Sequence, residues 1–226
     1  EIGIDKAVQL SLLPDREAIP SYAQVEQQRF DGSSRIPLPE AACSAGNSAR
    51  SMMMWLKNMR KGAGSGRLGW TIFGQGRFDR GKMFVICARS DASGMGIWGH
   101  FRDVWLNTGD LHFPHGEWHH LAVTWDGKDL IFYYDGEVLG QAGPGTSWNR
   151  ESATFETDQS QAFFGGGVQD KGGNPHMKYF RGEAAGLRVW NNKCIDHNAV
   201  RDWMTEDRKL LDAATLGNNE KKEEEE

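Results

Sequence analysis

The residues of this chain that could do chemistry are carboxylates, histidines and loop tryptophans, and their spacing narrows what that chemistry could be. Glu156 and Asp158 stand two positions apart, and a carboxylate pair roughly 5 Å apart is what retaining glycoside hydrolysis needs. His115, His119 and His120, with His112 nearby, raise the question of zinc. His119 and His120 are adjacent in an alternating segment, so they point to opposite sides of a strand and share no ion without a bulge. The plainer reading gives one of them a hydrogen bond to a neighbour and leaves the other facing solvent. Asp103, Asn107 and Asp110 could lend oxygens to calcium, which takes roughly six to eight of them. Sugar recognition asks for an aromatic plane beside polar hydrogen-bonding groups. Loop-adjacent candidates are Trp98, Trp105, Trp148 with Asn149, and the charged residues Arg77 and Asp79. The glycine-rich stretch 62–69 has no Lys-Ser or Lys-Thr close and no following helix, which argues against a phosphate cradle.

Strands must position these residues. Residues 117–140 read EWHHLAVTWDGKDLIFYYDGEVLG, with Leu121, Val123 and Trp125 two apart and Leu130, Phe132 and Tyr134 repeating the spacing. Alternation of this kind marks half-buried antiparallel strands. Asp126-Gly127 and Asp135-Gly136 place residues tolerant of positive φ where tight turns need them, so a meander follows. Residues 51–57 are apolar on both faces, as expected of a central strand covered on two sides. Residues 69–73 and 82–88 form a second hairpin, and further short strands are expected at 95–98 and 101–106. Asp196 can cap a helix in which Ile195 staples to Val200 and Val200, Trp203 and Met204 share a face.

The run W-H-H-L-A-V-T-W-D-G at 118–127, followed by Y-Y-D-G-E-V at 133–138, resembles the central hairpins of laminin-G-like domains in the concanavalin A-like superfamily. The F-D-G at 30–32, the strand at 51–57 and the closing stretch Tyr179–Trp190 extend the resemblance over residues 22–205. It implies a jelly-roll sandwich but not a task, since one sandwich serves many. Hydrolases of this fold carry E-x-D-x-x-E on one strand. Here the text from Glu156 ends in Gln161, which cannot donate a catalytic proton. Many relatives hold calcium through acidic positions that are Ser33, Ser34 and Arg35 in the opening pair, and Ala185 and Gly186 in the closing strand. Both common acidic positions are lost. Trp55, Trp118, Trp125 and Trp190 fall on core or strand positions and are assigned to packing.

Composition sets the outer limits. The chain has 226 residues, nine Trp, 11 Phe and 28 Gly, enough for one large β domain. Its formal charge of −5 owes three units to Glu220–Glu226, where five Glu face two Lys. The body is near neutral, which disfavours nucleic-acid binding through a basic field. The apolar runs 52–56 and 83–88 fall far short of the about 18 residues of a membrane span. Cys43, Cys87 and Cys194 are an odd number. Cys87 reads as a buried thiol, and pairing of Cys43 with Cys194 stays open. The chain starts at Glu1 rather than Met, which reads as a processed or trimmed product and leaves its compartment open, an extracellular or organellar one included.

The expectation is an all-β, two-sheet antiparallel jelly-roll sandwich with a short C-terminal helix. Its parts are a lead-in at 1–21, the laminin-G-like domain at 22–205, and a helix end with an acidic disordered tail at 206–226. The expected function is a non-catalytic recognition or scaffolding module that docks to a protein partner or assembly. A carbohydrate-binding module, with or without calcium, comes second and a glycosidase third. The loss of the acidic positions drives that order, because a calcium lectin has reason to keep them and a docking module has none.

Overall fold

The computed structural model describes residues 19–24, 26–33, 35–57, 70–88, 94–98, 104–107, 116–142, 155–159, 161–166 and 178–223. They form two seven-stranded sheets and one long helix. The back sheet runs β1 (Tyr22–Gln24), β14 (Arg181–Asn191), β4 (Arg50–Lys57), β9 (Trp118–Trp125), β10 (Leu130–Tyr134), β11 (Glu137–Ala142), with β2 (Gln28–Asp31) also on β14. The front sheet runs β3 (Ile36–Leu38), β12 (Ala162–Phe164), β5 (Trp70–Gly76), β6 (Met83–Ala88), β7 (Gly94–Trp98), β8 (Val104–Asn107). A short β13 (Lys178–Tyr179) adds to β5 in parallel, whereas the other pairings described are antiparallel.

The meander falls where alternation places it. Asp126 turns β9 into β10, its Oδ1 accepting from the Lys128 and Asp129 amides at 2.7 and 2.6 Å. Asp135 and Gly136 have φ of 49° and 80°, the positive pair that a two-residue hairpin turn demands. Between the sheets lies one core of alternate residues, including Met52, Met54, Leu56, Phe84, Ile86, Leu121, Val123, Trp125 and Phe132. None of the three cysteines is in a disulfide: Cys43 and Cys87 are buried and Cys194 is exposed.

A second apolar layer lies on the other side of the back sheet. Met53, Ala122, Tyr133 and Trp190 point away from the inter-sheet core and pack against Ile195, Val200 and Trp203. These last two belong to α1 (His197–Glu223), which the Asp196 carboxylate caps through the Ala199 amide at 2.8 Å. The helix continues past residue 206 and into the charged run expected to be disordered, as far as Glu223. Ala, Leu, Lys and Glu dominate that stretch, and they are strong helix formers. One polar pair pins the helix to the sheet. Arg188 on β14 donates to both carboxylate oxygens of Asp207 at 2.5–3.0 Å. The partners are 5% and 1% exposed, and Trp203 lies 4.0 Å from the guanidinium carbon.

Truncating one member of a buried ion pair leaves the other charged and unsolvated, whereas replacing both with apolar groups can be neutral. Asp207→Ala should therefore cost about 3–5 kcal/mol in urea unfolding, and Arg188→Met with Asp207→Leu much less. A loss below about 1 kcal/mol in the single variant would show that the pair does not anchor the helix.

Candidate functional site

With the centre of the outer face of the back sheet covered by α1, the main surfaces left for a ligand are the outer face of the front sheet and the rims. In β12 the side chains of Ala162 and Phe164 enter the core, so Phe163 points outward. Pro37, its partner on β3, is exposed on the same face. Phe180 is core and Tyr179 therefore also faces out, half-buried. Arg35 joins these two rings, its guanidinium carbon 3.4 Å from the Phe163 centroid and 5.9 Å from that of Tyr179. Burial pushes the Arg35 pKa down from its ordinary value, with Tyr179 acting in the opposite sense.

Two glycines make the cluster compact. At Gly165, with φ +77°, a β-carbon would lie 2.1 Å from the Phe30 ring. At Gly166 it would meet Arg35 Cβ at 2.8 Å and Tyr179 Cδ1 at 2.9 Å. Elsewhere this face is not bare. Met83, Val85 and Cys87 alternate with core residues of β6, hence point outward, yet are fully buried. Among the described side chains, those of this face that reach solvent are on β3, β12 and β13.

A charged rim lies at one end of the sandwich. Arg77 and Asp79 sit in the β5–β6 turn, 3.9 Å apart, and Arg77 Nε lies 3.8 Å from Asp158. Lys82 pairs with Glu156 at 2.8 Å. Beneath the rim Arg50, 1% exposed, donates to the Ser48 and Gly46 carbonyls and to the Thr157 hydroxyl at 2.6–3.1 Å. Burial brings its pKa down to about 9. Arg50 thus fixes the segment that carries Glu156 and Asp158. Both of these carboxylates stand beside cations, and Gln161 donates to the Gly76 carbonyl at 3.2 Å.

The histidines take opposite faces of their strand and one is bonded to a neighbour, but the other does not face solvent. His119 Nδ1 lies 2.9 Å from Asp135 Oδ2 and the ring stacks on Tyr134. His120, on the other side of the strand, is fully buried against Trp55 and faces no solvent. The cause is α1, which covers that face. Among the described residues no three His, Cys, Asp or Glu side chains converge on a metal position. At the eroded calcium positions Asp31 Oδ1 accepts from the Ser33 amide and hydroxyl at 2.8 and 2.7 Å, and Gly186 adjoins Asp207.

Of the other expected site residues, Trp98 pairs with Val85, Trp105 with Gly96 and Asn107 with Gly94 across the front sheet. Trp148, Asn149, Asp103 and Asp110 lie outside the described residues. Arg35, Phe163 and Tyr179, which the fold brings together, were not singled out as ligand residues.

A laminin-G-type family model, described as the concanavalin A-like lectin/glucanases superfamily, matches residues 30–198. The chain belongs to this superfamily. Solved structures agree at the level of fold. Domain 4 of an extracellular arabinanase from Geobacillus stearothermophilus, solved with arabinotriose, is 16% identical with a TM-score of 0.51, covering 78% of this chain and 75% of that one. The CBM40 module of a Ruminococcus gnavus IT-sialidase is 12% identical with a TM-score of 0.56, covering 81% and 98%. It has also been solved bound to sialyllactose. A sialidase from Streptococcus pneumoniae is 16% identical with a TM-score of 0.55 over 81% of this chain, but this covers only 28% of its own length. No curated protein sequence matches significantly.

Gly166→Ala tests whether the superfamily fold here builds the cluster as a unit. The added carbon must drive Arg35 and Tyr179 apart, and overpacking costs about 1–3 kcal/mol. Thermal unfolding should show that loss, and an unchanged midpoint would mean the two side chains are not held in contact.

Proposed function

We propose that this chain is a non-catalytic recognition module that binds a glycan on the outer face of its front sheet, at Arg35, Phe163 and Tyr179. The observation that carries the proposal is the stacked guanidinium between two outward-facing rings. It combines aromatic surface with directional donors, the pairing sugar recognition uses. The case for protein docking first rested on lost calcium ligands. An arginine–aromatic site needs no calcium, so that reason lapses. The superfamily relatives solved with arabinotriose and with sialyllactose support the same ligand class.

One feature supports the absence of catalysis. Gln161, at the position where related hydrolases place an acid, is bonded to backbone. Docking to a protein is the second reading, favoured by the composition of the same cluster, since Arg and Tyr are enriched at interface hot spots.

A glycan array probed with the full chain separates these readings. Binding that survives chelator and falls at least about tenfold in Arg35→Ala or Tyr179→Ala is the expected result. Absence of any glycan signal, with retention of a protein partner that Arg35→Ala abolishes, would favour docking. Release of reducing sugar, lost in Glu156→Gln, would overturn the non-catalytic assignment.

A further inference from the structure

The layer beneath α1 holds polar groups that an ordinary helix–sheet interface lacks. His120 is fully buried there, and neither ring nitrogen has a hydrogen-bond partner. The Trp55 indole N–H, whose ring stands edge-on to His120 at 5.3 Å, is unpartnered too. Each such group lowers the stability of the docked layer, because its water is lost and not replaced. Contacts to the helix are otherwise close. His197 Nε2 lies 2.7 Å from the Gly136 carbonyl, and a β-carbon at Gly136 would meet Met204 at 2.9 Å. The helix is therefore docked firmly over a face that penalises one specific change, a proton on His120.

We infer that α1 is an acid-releasable strap, held on the back sheet while His120 is uncharged and freed when His120 takes a proton, which uncovers Trp55, Tyr133, Arg188 and Trp190. Among the described residues no carboxylate bonds either ring nitrogen of His120, so a buried imidazolium there would lack a direct partner. The charged groups around it are few. Asp135, in the β10–β11 turn, accepts from the His120 backbone amide at 2.7 Å and favours its charged form. Asp207 of α1 is already committed to Arg188 of β14, and Arg208 of α1 stands over the Trp55 ring at 5.5 Å, adding positive charge. His197 is bonded to backbone as above, and Lys57 at the end of β4 lies over Trp118.

The sign follows from linkage. Burial lowers the His120 pKa from 6.5 to about 3 when docked. The uncovered ring recovers its ordinary value, so docking is fully favoured above about 6.5 and weakens as pH falls toward 3. Burial raises the Asp207 pKa, which acts in the opposite sense, but Asp207 is common to wild type and any His120 variant.

Hydrogen–deuterium exchange of the full chain, corrected for intrinsic rates, tests the strap. Between pH 7 and 4.5 protection of residues 197–212 should fall roughly 70-fold while that of β9 holds, and His120→Phe should abolish most of the fall. His120→Gln, also unable to ionise, serves if the larger ring disturbs packing. Loss of protection in β9 together with the helix, or an equal fall in a folded non-ionisable variant, would overturn the inference.

Discussion

The back sheet is apolar on both faces, and the rest of the structure answers that constraint. Met52, Met54 and Leu56 of β4 enter the inter-sheet core, while Met53 and Trp55 of the same strand face the other way and are equally buried. A sheet with two apolar faces needs a layer on each. The front sheet supplies one and α1 the other. The Arg188–Asp207 pair fixes where the helix lies, because a buried charge in that layer tolerates only one position of its partner.

This third layer determines what the sandwich can recognise. A β sandwich without it would offer two broad faces to a ligand. Here one is filled by the protein's own helix, and much of the other is buried around Met83, Val85 and Cys87. The proposed recognition uses the β3–β12 side, where Arg35 lies over Phe163 and beside Tyr179. Gly165 and Gly166 allow that approach, and Phe164, one residue away from Phe163, packs edge-on to Phe30 in the core. A short strand thus joins the hydrophobic centre to the proposed binding face.

Local patterns were legible in the sequence and distant ones were not. The two-residue alternation of Leu121, Val123 and Trp125 and the Asp-Gly turns specify the meander, since they depend only on near neighbours. The apolar run at 52–56 announced a strand covered on both sides, but not that a helix would supply the second cover. That is why His120, on the face of its strand turned away from the inter-sheet core, lies buried rather than in solvent. The Asp196 cap and the Ile195–Val200 contact were readable for the same local reason. The length of α1 was not, because a run rich in Glu and Lys reads equally well as solvated tail and as exposed helix. Arg35 and Phe163 lie far apart in the chain, and no periodicity joins them. The nearest signal was the Phe163-Phe164-Gly165-Gly166 run, which places one ring on each side of a strand beside two residues without side chains.

The central claim is that ligand meets this protein on the β3–β12 side of the front sheet while α1 keeps the back sheet closed. Backbone NMR of the full chain, titrated at neutral pH with the strongest glycan from an array, tests it most directly. The account predicts shift changes confined to residues 35–38, 162–166 and 178–179, with those of 197–213 unmoved. Changes centred on α1 and the outer face of the back sheet, with the β3–β12 side silent, would contradict it.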